Sequence, residues 1–560
     1  MTTNNNDGNN NSSDSNDNNN NNNNNDHDDI RIGSISSARF NILSTMVGGG
    51  CLSLPMAFQQ SGNALCGPIM LLITGVITDF CFRTLVATAL KINGGQPPNP
   101  NRSGKDTYES ITQIAFGNIG YLFSMTLVVM MCFFGTVGYA VLLRDMMVPL
   151  NDVIAPTHVF HHDHYDGNVG SSGMILLSNW FHRNFTMFLV ILIVTPFCTL
   201  RRLTALKNCG ALSMGSLLIL GSCIVYRSIQ CNVNCQNNNE QKGGEPWYTY
   251  LKLFPDSFHD LFNAVPLYIS CFVCHYNILP VHNELINPTP DRVSWWLRST
   301  TWFAVLLYMI MGFAGSSYAH CTPTGKVQGN ILLDFDENDP LLMVGRMCLA
   351  ITITLAFPML VIPGRDIMLR SLILPRLKAR LHRQRQQSSL EEEEEEDPAV
   401  VNVNVNRTID EELQLSPDQQ QQHQSMEIND IVGSSNGSSS NVGGVGGDDL
   451  RSAPTIVLLC TSVLIFWSAG TVASVVKSID VVWDLLGSSL SILLSYLIPA
   501  GTYLVITNKQ QSSSSSSDSN DTSGSSTRDR LSRAVCWLLL WIMFPLMIAS
   551  TGNAIINTFS

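Results

Sequence analysis

Two apolar stretches of this chain are interrupted by residues that do not sustain an α-helix. The first, residues 41–55, contains three consecutive glycines at 48–50 and then Pro55, and the second, residues 268–280, ends on a proline. Relative to alanine, glycine lowers helix stability by about 1 kcal/mol and proline by about 3 kcal/mol. In lipid, the backbone groups freed by a break must also find other partners. The two stretches therefore predict membrane helices that break where backbone N–H and C=O groups face an internal cavity.

Such breaks are typical of one class of membrane protein. Secondary transporters form their binding sites from discontinuous helices at corresponding positions in two halves of the chain. The alternative is a pair of kinked structural helices, because glycine and proline are common in membrane helices. One break would leave these interpretations about equal, whereas two breaks, in the first and sixth apolar spans, favour transport.

Eleven apolar segments are long enough, or nearly so, to cross about 30 Å of hydrocarbon. The fourth is the shortest, and glycine and serine dilute several others. The sequence therefore predicts an all-α membrane protein with 11 transmembrane helices, at residues 38–58, 65–91, 118–142, 185–200, 209–230, 260–283, 297–318, 341–363, 455–475, 482–506 and 534–558.

Three polar tracts divide the chain into its predicted domains. Residues 1–36 form an Asn-rich cytoplasmic tail, residues 384–452 a cytoplasmic loop with six consecutive glutamates, and residues 510–530 a serine-rich loop. The tail and the long loop are predicted to be disordered, because such compositions cannot bury enough apolar area to order themselves. Spans 1–8 then occupy residues 37–383, and spans 9–11 occupy residues 453–560. Because the net charge of −12 averages over these tracts, it indicates no particular partner, and no nucleic-acid partner is expected.

The placement of lysine and arginine predicts the orientation. With a cytoplasmic N-terminus, 23 of the 32 Lys and Arg residues fall in cytoplasmic segments, 7 fall on the opposite side and 2 lie within spans. Positive residues are enriched on the cytoplasmic side of membrane proteins. The distribution supports eleven spans and a cytoplasmic N-terminus.

The residues around both breaks resemble a known family. The asparagine, small-residue glycine turn and Leu-x-Leu-Pro of residues 41–55 resemble the opening span of the amino acid/auxin permease superfamily. Residues 274–285 are similar to a signature of the branch that contains sodium-coupled neutral and vacuolar amino-acid transporters, and so are residues 357–365 at the end of the eighth span. The resemblance covers residues 36–375 well and the last three spans more loosely.

This resemblance implies a fold and an activity. The fold would contain two inverted five-helix repeats with broken helices 1 and 6, plus an eleventh span. The activity would be secondary active transport of neutral amino acids by alternating access, driven by sodium or protons. The membrane would be the plasma membrane or a vacuolar or lysosomal membrane.

The two breaks suit a zwitterionic amino acid. A half-helix N-terminus presents N–H groups and partial positive charge to a carboxylate, and carbonyls at an unwound C-terminal end attract an ammonium group or a cation. Glycine lets the backbone approach a ligand closely. We therefore predict a substrate site with one set of residues from each break: Ser44, Thr45, Gly48, Gly49 and Gly50, and Ser270, Cys271, Cys274 and His275.

His275 is ionisable at membrane depth, which makes it a functional candidate. The alternative is a structural histidine that is hydrogen-bonded within the bundle and fixes the bend before Pro280. Residues 271–275 also match the c-type haem attachment pattern. Because this pattern lies inside an apolar span and the family resemblance accounts for it, no haem and no other cofactor is expected.

The resemblance also implies a coupling-ion site formed by the first and eighth spans, with Asn41, Ser44 and Thr354 as candidate ligands. Ser44 stands where the sodium-dependent relatives have an asparagine, and Asn41 lies one turn earlier. Sodium prefers hard oxygen ligands, and hydroxyl groups qualify. Proton coupling is the alternative, with His275 as a carrier because histidine titrates near neutral pH.

Other polar groups receive structural interpretations. Asp79 and Arg83 are one turn apart in the second span, so they can neutralise each other. The histidines and aspartates of residues 161–166 could hold zinc. A metal site needs ligands at fixed geometry, however, and we interpret this tract as a solvated loop. No metal site is predicted.

Relatives in the family carry a disulfide between the loops after the fifth and seventh spans. The resemblance therefore implies that Cys321 is joined to Cys231 or Cys235. A local pair between Cys231 and Cys235 is the alternative. All three cysteines lie on the predicted non-cytoplasmic side, where disulfides persist.

Three competing functions can be compared with transport. A non-transporting amino-acid sensor on the same fold would bind signalling partners through its tails and the 384–452 loop. A multi-pass membrane enzyme would need His, Asp, Glu or Ser residues converging at one depth, and only His275 lies deep. A zinc or other cation transporter would need several intramembrane carboxylates, which the spans lack. No catalytic residues are predicted, and the expected partners are an amino acid substrate and membrane lipid.

Overall fold

The computed structural model describes ten ranges of the chain and a few isolated positions between 380 and 384. Within them the chain is helical and contains no β-strand. Most of the Asn-rich tail, the 384–452 loop and the 161–166 histidine cluster lie outside the described residues. The ranges are 34–94, 107–154, 172–200, 209–242, 251–286, 288–336, 339–376, 454–476, 478–514 and 527–559.

Fourteen α-helices are numbered here in chain order over the described ranges. They are α1 Ile35–Met46, α2 Leu54–Ser61, α3 Cys66–Ile92, α4 Tyr108–Ile154, α5 Ser172–Cys198, α6 Cys209–Lys242, α7 Phe258–Ser270, α8 His275–Glu284, α9 Pro290–Ser317, α10 Pro340–Met368, α11 Thr455–Val475, α12 Ile479–Leu485, α13 Ile498–Ser514 and α14 Thr527–Phe559. Short π-helical segments join α12 to α13 and follow α10, and 3-10 turns include Gly49–Leu52 and Tyr318–Cys321.

Nine helical segments among the described residues are long and apolar enough to cross a membrane, or ten if the bent pair α1 and α2 forms one span. A shorter apolar helix, Asn184–Cys198, lies within α5. Each of the eleven predicted segments thus has a helical counterpart. The number of eleven spans stays a prediction, because length and composition do not show which helices cross the bilayer.

Helix α6 corrects one boundary. Cys231 and Cys235 were predicted to lie in a loop after the fifth span, but α6 continues to Lys242. Hydropathy reports where a chain leaves the hydrocarbon, not where its helix ends. Residues 222–242 contain no glycine or proline to stop the helix. Helices α13 and α14 likewise extend from both sides into the predicted serine-rich loop at 510–530.

A disulfide joins α6 to the turn that follows α9. Cys231 and Cys321 are bonded, with 6.5 Å between their Cα atoms and 90 residues between them in the chain. This is one of the two pairings that the family resemblance implied. The side chain of Cys235 lies outside the described part of the chain.

Buried Arg144, near the end of α4, caps another helix. Its guanidinium donates to the carbonyls of Ala473 and Val476, at the end of α11, at 2.8 Å each. It also pairs with Asp145 at 3.0 Å. The last carbonyls of a helix have no partner within the helix, so this arginine holds the end of α11 against α4.

Buried Arg365, near the end of α10, does the same for α5. Its guanidinium donates to the carbonyls of Cys198 and Leu200 at 3.3 and 2.9 Å. It pairs with Asp366 at 2.6 Å. Two of the three Arg-Asp dipeptides in the chain, at residues 144–145 and 365–366, therefore each hold the end of a different helix.

The predicted pair in the second span is present. Arg83 donates to the carboxylate of Asp79 at 2.6 Å across one turn of α3. The Arg83 side chain is 30% exposed and that of Asp79 is 7% exposed. The pair therefore neutralises a carboxylate that is otherwise enclosed among helices.

Candidate functional site

The first predicted break is present between α1 and α2. Helix α1 ends at Met46, the backbone leaves helical geometry at Val47 and Gly48, and a 3-10 turn leads into α2. The two arms meet at an angle of 55°. Pro55 lies in the first turn of α2, where its missing N–H leaves no helical hydrogen bond unmade.

The second predicted break lies between α7 and α8. Helix α7 ends at Ser270 and α8 begins at His275, so four residues, 271–274, interrupt the span. Cys274 occupies the position before α8 and makes no side-chain hydrogen bond to the helix end. The first N–H groups of α8 are therefore not capped by that side chain.

The two breaks are in direct contact. The Cys271 thiol donates to the carbonyl of Gly50 at 3.3 Å. The Tyr308 hydroxyl, from α9, lies 2.8 Å from the carbonyl of Met46 and 2.7 Å from the carbonyl of Cys271. A hydroxyl has one proton, so one proton is shared between a carbonyl from each break. Helix α9 thus holds the two broken helices together.

We expect Tyr308→Phe to lower the free energy of unfolding by about 1–3 kcal/mol, the penalty for leaving a buried hydrogen-bonding group without a partner. Thermal unfolding of the purified protein measures the change. Tyr226→Phe is the matched control, because Tyr226 is 58% exposed on α6 and its loss should not move the midpoint. Equal midpoints for Tyr308→Phe and the unsubstituted protein would show that the hydroxyl does not stabilise the junction.

A small cavity lies between the breaks. Only about 30 Å³ of it is open to the centre of a water molecule, which is room for one or two waters. A free amino acid would fit only after side chains or helices moved. The cavity is lined by residues from both breaks, α4, α10 and α12: Thr45, Met46, Gly50, Met131, Gly135, Tyr139, Ser270, Val273, Tyr276, Leu360 and Trp483.

Hydroxyl and indole groups in the cavity wall can bind a polar ligand. The Thr45 hydroxyl donates to the carbonyl of Asn41 at 2.8 Å, and the Ser270 hydroxyl donates to that of Leu267 at 2.9 Å. Both oxygens keep lone pairs that can accept from a ligand. Within the described part of the chain, the buried indole N–H of Trp483 has no acceptor. A buried tryptophan N–H usually has one, so a ligand acceptor would complete this site.

Gly48 is packed against Tyr139. A Cβ on Gly48 would lie 1.8 Å from the tyrosine hydroxyl oxygen. The Tyr139 ring is fixed in turn by edge contacts to Phe357 and Trp483, with centroids 6.3 and 6.1 Å away. Glycine is therefore required at position 48 by close approach of a cavity-wall side chain.

The structure brings most predicted substrate-site residues to this junction. Thr45, Gly50 and Ser270 line the cavity, and Gly48 and Cys271 make the contacts described above. Ser44 is buried, is not among the residues that line the cavity, and donates to the Asn41 carbonyl at 3.0 Å. Gly49 lies in the 3-10 turn, and Cys274 is buried at the start of α8.

His275 occupies a different environment. It is fully buried, and its ring packs against Phe82 and Tyr496, with centroids 4.4 and 6.2 Å away. Neither ring nitrogen has a hydrogen-bond partner among the described residues. His275 is not among the residues that line the cavity. The ring therefore contacts aromatic side chains rather than the cavity, and within the described ranges it makes no hydrogen bond of the kind that the structural interpretation expects, so the role of His275 stays a prediction.

The structure describes all three candidate ion ligands, but it shows no contact between their side-chain oxygens. The buried amide oxygen of Asn41 has no partner among the described residues and lies beside Gly210 of α6, where a Cβ would be 3.1 Å from it. The Thr354 hydroxyl donates to the carbonyl of Ala350 in its own helix at 2.7 Å. Coordination of an ion by Asn41, Ser44 and Thr354 stays a prediction.

Several residues of the cavity and the junction were not predicted from the sequence. Tyr308, which joins the two breaks, carried a signal, because tyrosines in membrane helices are enriched at the interfaces and it lies in the middle of its predicted span. Tyr139 carried none, since it lies near the end of its predicted span. Trp483 also carried no such signal in the sequence, since it stands near the start of its predicted span. Met131, Gly135 and Leu360 come from helices that the break argument did not consider, and Tyr276 lies in the second break stretch but was not singled out.

Comparison with known proteins agrees with the broken-helix junction. A family model described as transmembrane amino acid transporter protein matches residues 31–519, which covers both breaks and all the walls of the cavity. The match includes the predicted loop at 384–452 and ends before α14.

Two curated relatives are similar over part of their length. A mouse protein provisionally named sodium-coupled neutral amino acid transporter 11 is 26% identical over 332 residues, 58% of this chain and 62% of that protein. Vacuolar amino acid transporter 7 of Saccharomyces cerevisiae is 21% identical over 339 residues, 59% of this chain and 58% of the yeast protein. The chain thus spans about three fifths of these relatives. A solved structure of MhsT in complex with L-phenylalanine aligns with 91% of this chain and 98% of MhsT, at 8% identity and a TM-score of 0.49.

Proposed function

Because the chain belongs to the transmembrane amino acid transporter protein family, we propose that it moves neutral amino acids across a membrane by secondary active transport. The observation that carries the proposal is the closed cavity between two broken helices. Backbone carbonyls of both breaks meet there, and hydroxyl and indole groups line it. Both curated relatives described above are named as transporters, which supports transport rather than catalysis.

The chemistry of the cavity supports a zwitterionic substrate. Val273 and Tyr276, on either side of the start of α8, line the cavity, so the helix N-terminus can attract a carboxylate. The Trp483 N–H offers a further donor. Carbonyls of the breaks can accept from the ammonium group once the Tyr308 contact changes.

The lining residues also support a neutral side chain on the substrate. No charged residue is among the described residues that line the cavity. Met131 and Leu360 contribute apolar surface, and apolar walls favour uncharged side chains. The coupling ion is proposed to be sodium or a proton, with Asn41, Ser44 and Thr354 as the candidate sodium ligands.

Alternating access fits the closed state of the cavity. Because the cavity has room for only one or two waters, a substrate can enter only when the helices around the breaks move. The two arginine contacts support the proposed pair of inverted repeats. In that arrangement, α4 and α10 are equivalent, α5 and α11 are equivalent, and each arginine joins one repeat to the other.

The location is proposed from the relatives. The yeast relative is named as vacuolar, which supports a vacuolar or lysosomal membrane, with the plasma membrane as the alternative. The count of Lys and Arg residues supports a cytoplasmic N-terminus.

Flux measurements test the proposed function. The full chain would be reconstituted in liposomes, and uptake of a panel of labelled amino acids would be measured under imposed sodium or proton gradients. We expect gradient-dependent uptake of neutral amino acids and little uptake of charged ones. Binding without flux would overturn the proposal and favour a non-transporting sensor, whose tails would bind signalling partners.

A substitution at Trp483 tests the site itself. We expect Trp483→Phe to raise the half-saturating substrate concentration about ten- to hundredfold, since a hydrogen bond to a charged group contributes about 1.5–3 kcal/mol. Trp467→Phe is the matched control, because the Trp467 N–H donates to Thr195 at 3.2 Å on another side of the bundle. Equal affinities in the two variants would remove Trp483 from the site.

A further inference from the structure

Three potential metal ligands meet at one end of the helix bundle, away from the cavity. Cys231 lies on α6, and His320 and Cys321 lie in the 3-10 turn that follows α9. One ligand atom from each residue falls within 4.8 Å of the others. The Cys231 sulfur is 3.6 Å from Nε2 of His320. All three residues are partly accessible rather than enclosed in the core.

The separation between sulfur and nitrogen fits two ligands on one tetrahedral ion. Zinc binds sulfur at about 2.3 Å and imidazole nitrogen at about 2.0–2.1 Å. At a tetrahedral angle these bonds place the two ligand atoms about 3.5–3.6 Å apart. The observed 3.6 Å, in the disulfide-bonded state, therefore brings the His320 nitrogen within reach of an ion bound to the Cys231 sulfur.

The His320 ring also has a backbone partner. The His320 ring makes a hydrogen bond with the backbone of Ser317. Histidine ligands of metals almost always donate their second N–H to a carbonyl or carboxylate, which fixes the ring. Ser317 ends α9, so the orientation of the ring is set by the end of that helix.

We propose that Cys231, His320 and Cys321 form a redox-dependent site for one thiophilic divalent cation such as Zn²⁺. In the oxidised protein the two sulfurs are bonded to each other and are not available as thiolates. Two equivalents of a low-molecular-weight thiol reduce the bond: together they supply two electrons and two protons, and they become one disulfide. The cation then displaces both thiol protons and is held by two thiolates and neutral His320, with water in the fourth position.

Binding of the cation would lengthen the link between α6 and the turn after α9. The two sulfurs are about 2.0 Å apart in a disulfide and about 3.8 Å apart on a tetrahedral zinc ion. The link would persist in both states but with a different length. On the predicted non-cytoplasmic side, where disulfides normally persist, the site would take up metal only when that compartment becomes reducing.

Metal binding to the full chain tests this site without reference to transport. Oxidised and thiol-reduced samples would be freed of reductant under argon and equilibrated with Co²⁺, whose thiolate charge-transfer absorption reports sulfur ligands, and then with Zn²⁺. Stoichiometry comes from elemental analysis after desalting. The oxidised sample is an internal control, because the other described cysteines are already free thiols in it.

We expect one additional equivalent of metal in the reduced protein and at least a tenfold loss of affinity in His320→Ala, since even outer partners of metal ligands contribute ten- to hundredfold. Cys460→Ser, which removes an exposed cysteine on α11, should bind as the unsubstituted protein does. His320→Gln repeats the test if His320→Ala unfolds. Equal metal content in oxidised and reduced samples, or unchanged affinity in the folded histidine variant, would overturn the proposal and leave the transport proposal untouched.

Discussion

Gly48→Ala is expected to reduce amino acid uptake about ten- to hundredfold while the protein still inserts and folds. The added Cβ would lie 1.8 Å from the Tyr139 hydroxyl oxygen, so the tyrosine must move. Overpacking of a filled site costs about 1–3 kcal/mol, and each 1.4 kcal/mol is a factor of ten in an equilibrium. Because the cavity has little free space, the displaced ring would occupy the volume that a substrate needs.

Gly135→Ala is the matched control for this prediction. Gly135 lines the same cavity, but a Cβ there would meet Leu360 at 3.4 Å, an ordinary van der Waals contact. Uptake by Gly135→Ala should therefore stay within a few-fold of the unsubstituted protein. Initial rates in liposomes, normalised to the amount of folded protein, distinguish the two variants. Undiminished uptake by Gly48→Ala would contradict the packing argument.

Arg365→Ala is expected to lower the free energy of unfolding by about 3–5 kcal/mol, the usual effect of removing one partner from a buried ion pair. The substitution leaves Asp366 without its cation and two helix-end carbonyls, of Cys198 and Leu200, without donors. Arg365→Lys should recover part of the loss, since an ammonium group restores the charge but not the planar set of five donors.

The control for Arg365 is Arg376, at the exposed end of the same helical segment. Removal of an exposed charge changes stability by about 0.5 kcal/mol or less, so Arg376→Ala should unfold at the same temperature as the unsubstituted protein. Thermal unfolding in detergent, followed by size-exclusion chromatography, measures both variants. Similar midpoints for Arg365→Ala and Arg376→Ala would mean that the buried guanidinium does not hold the end of α5.

The breaks could be predicted from the sequence because their cause is local. Glycine and proline weaken a helix wherever they occur, so residues 41–55 and 268–280 mark the interruptions without knowledge of the fold. The pairing of Asp79 with Arg83 was predictable for the same reason, since helical geometry alone places residues four apart on one face.

The walls of the cavity could not be predicted in this way. Tyr139, Leu360 and Trp483 lie on three different helices, and they meet only because those helices pack with particular rotations about their axes. The side on which His275 lies depends on where α8 resumes after the break, and a shift of one residue rotates a helical side chain by about 100°. Composition and hydropathy hold no information on that rotation.

At the junction between the breaks, the single hydroxyl proton of Tyr308 has two nearly equivalent acceptors. Two carbonyls, of Met46 and Cys271, compete for one donor at nearly equal distances, so neither is fully satisfied. The hydroxyl can pass from one acceptor to the other by rotation about the phenolic C–O bond, and the tyrosine ring can stay where it is. A relative movement of the two breaks would then exchange one hydrogen bond for its equivalent. The junction would therefore keep a hydrogen bond from Tyr308 to one break or the other in each arrangement.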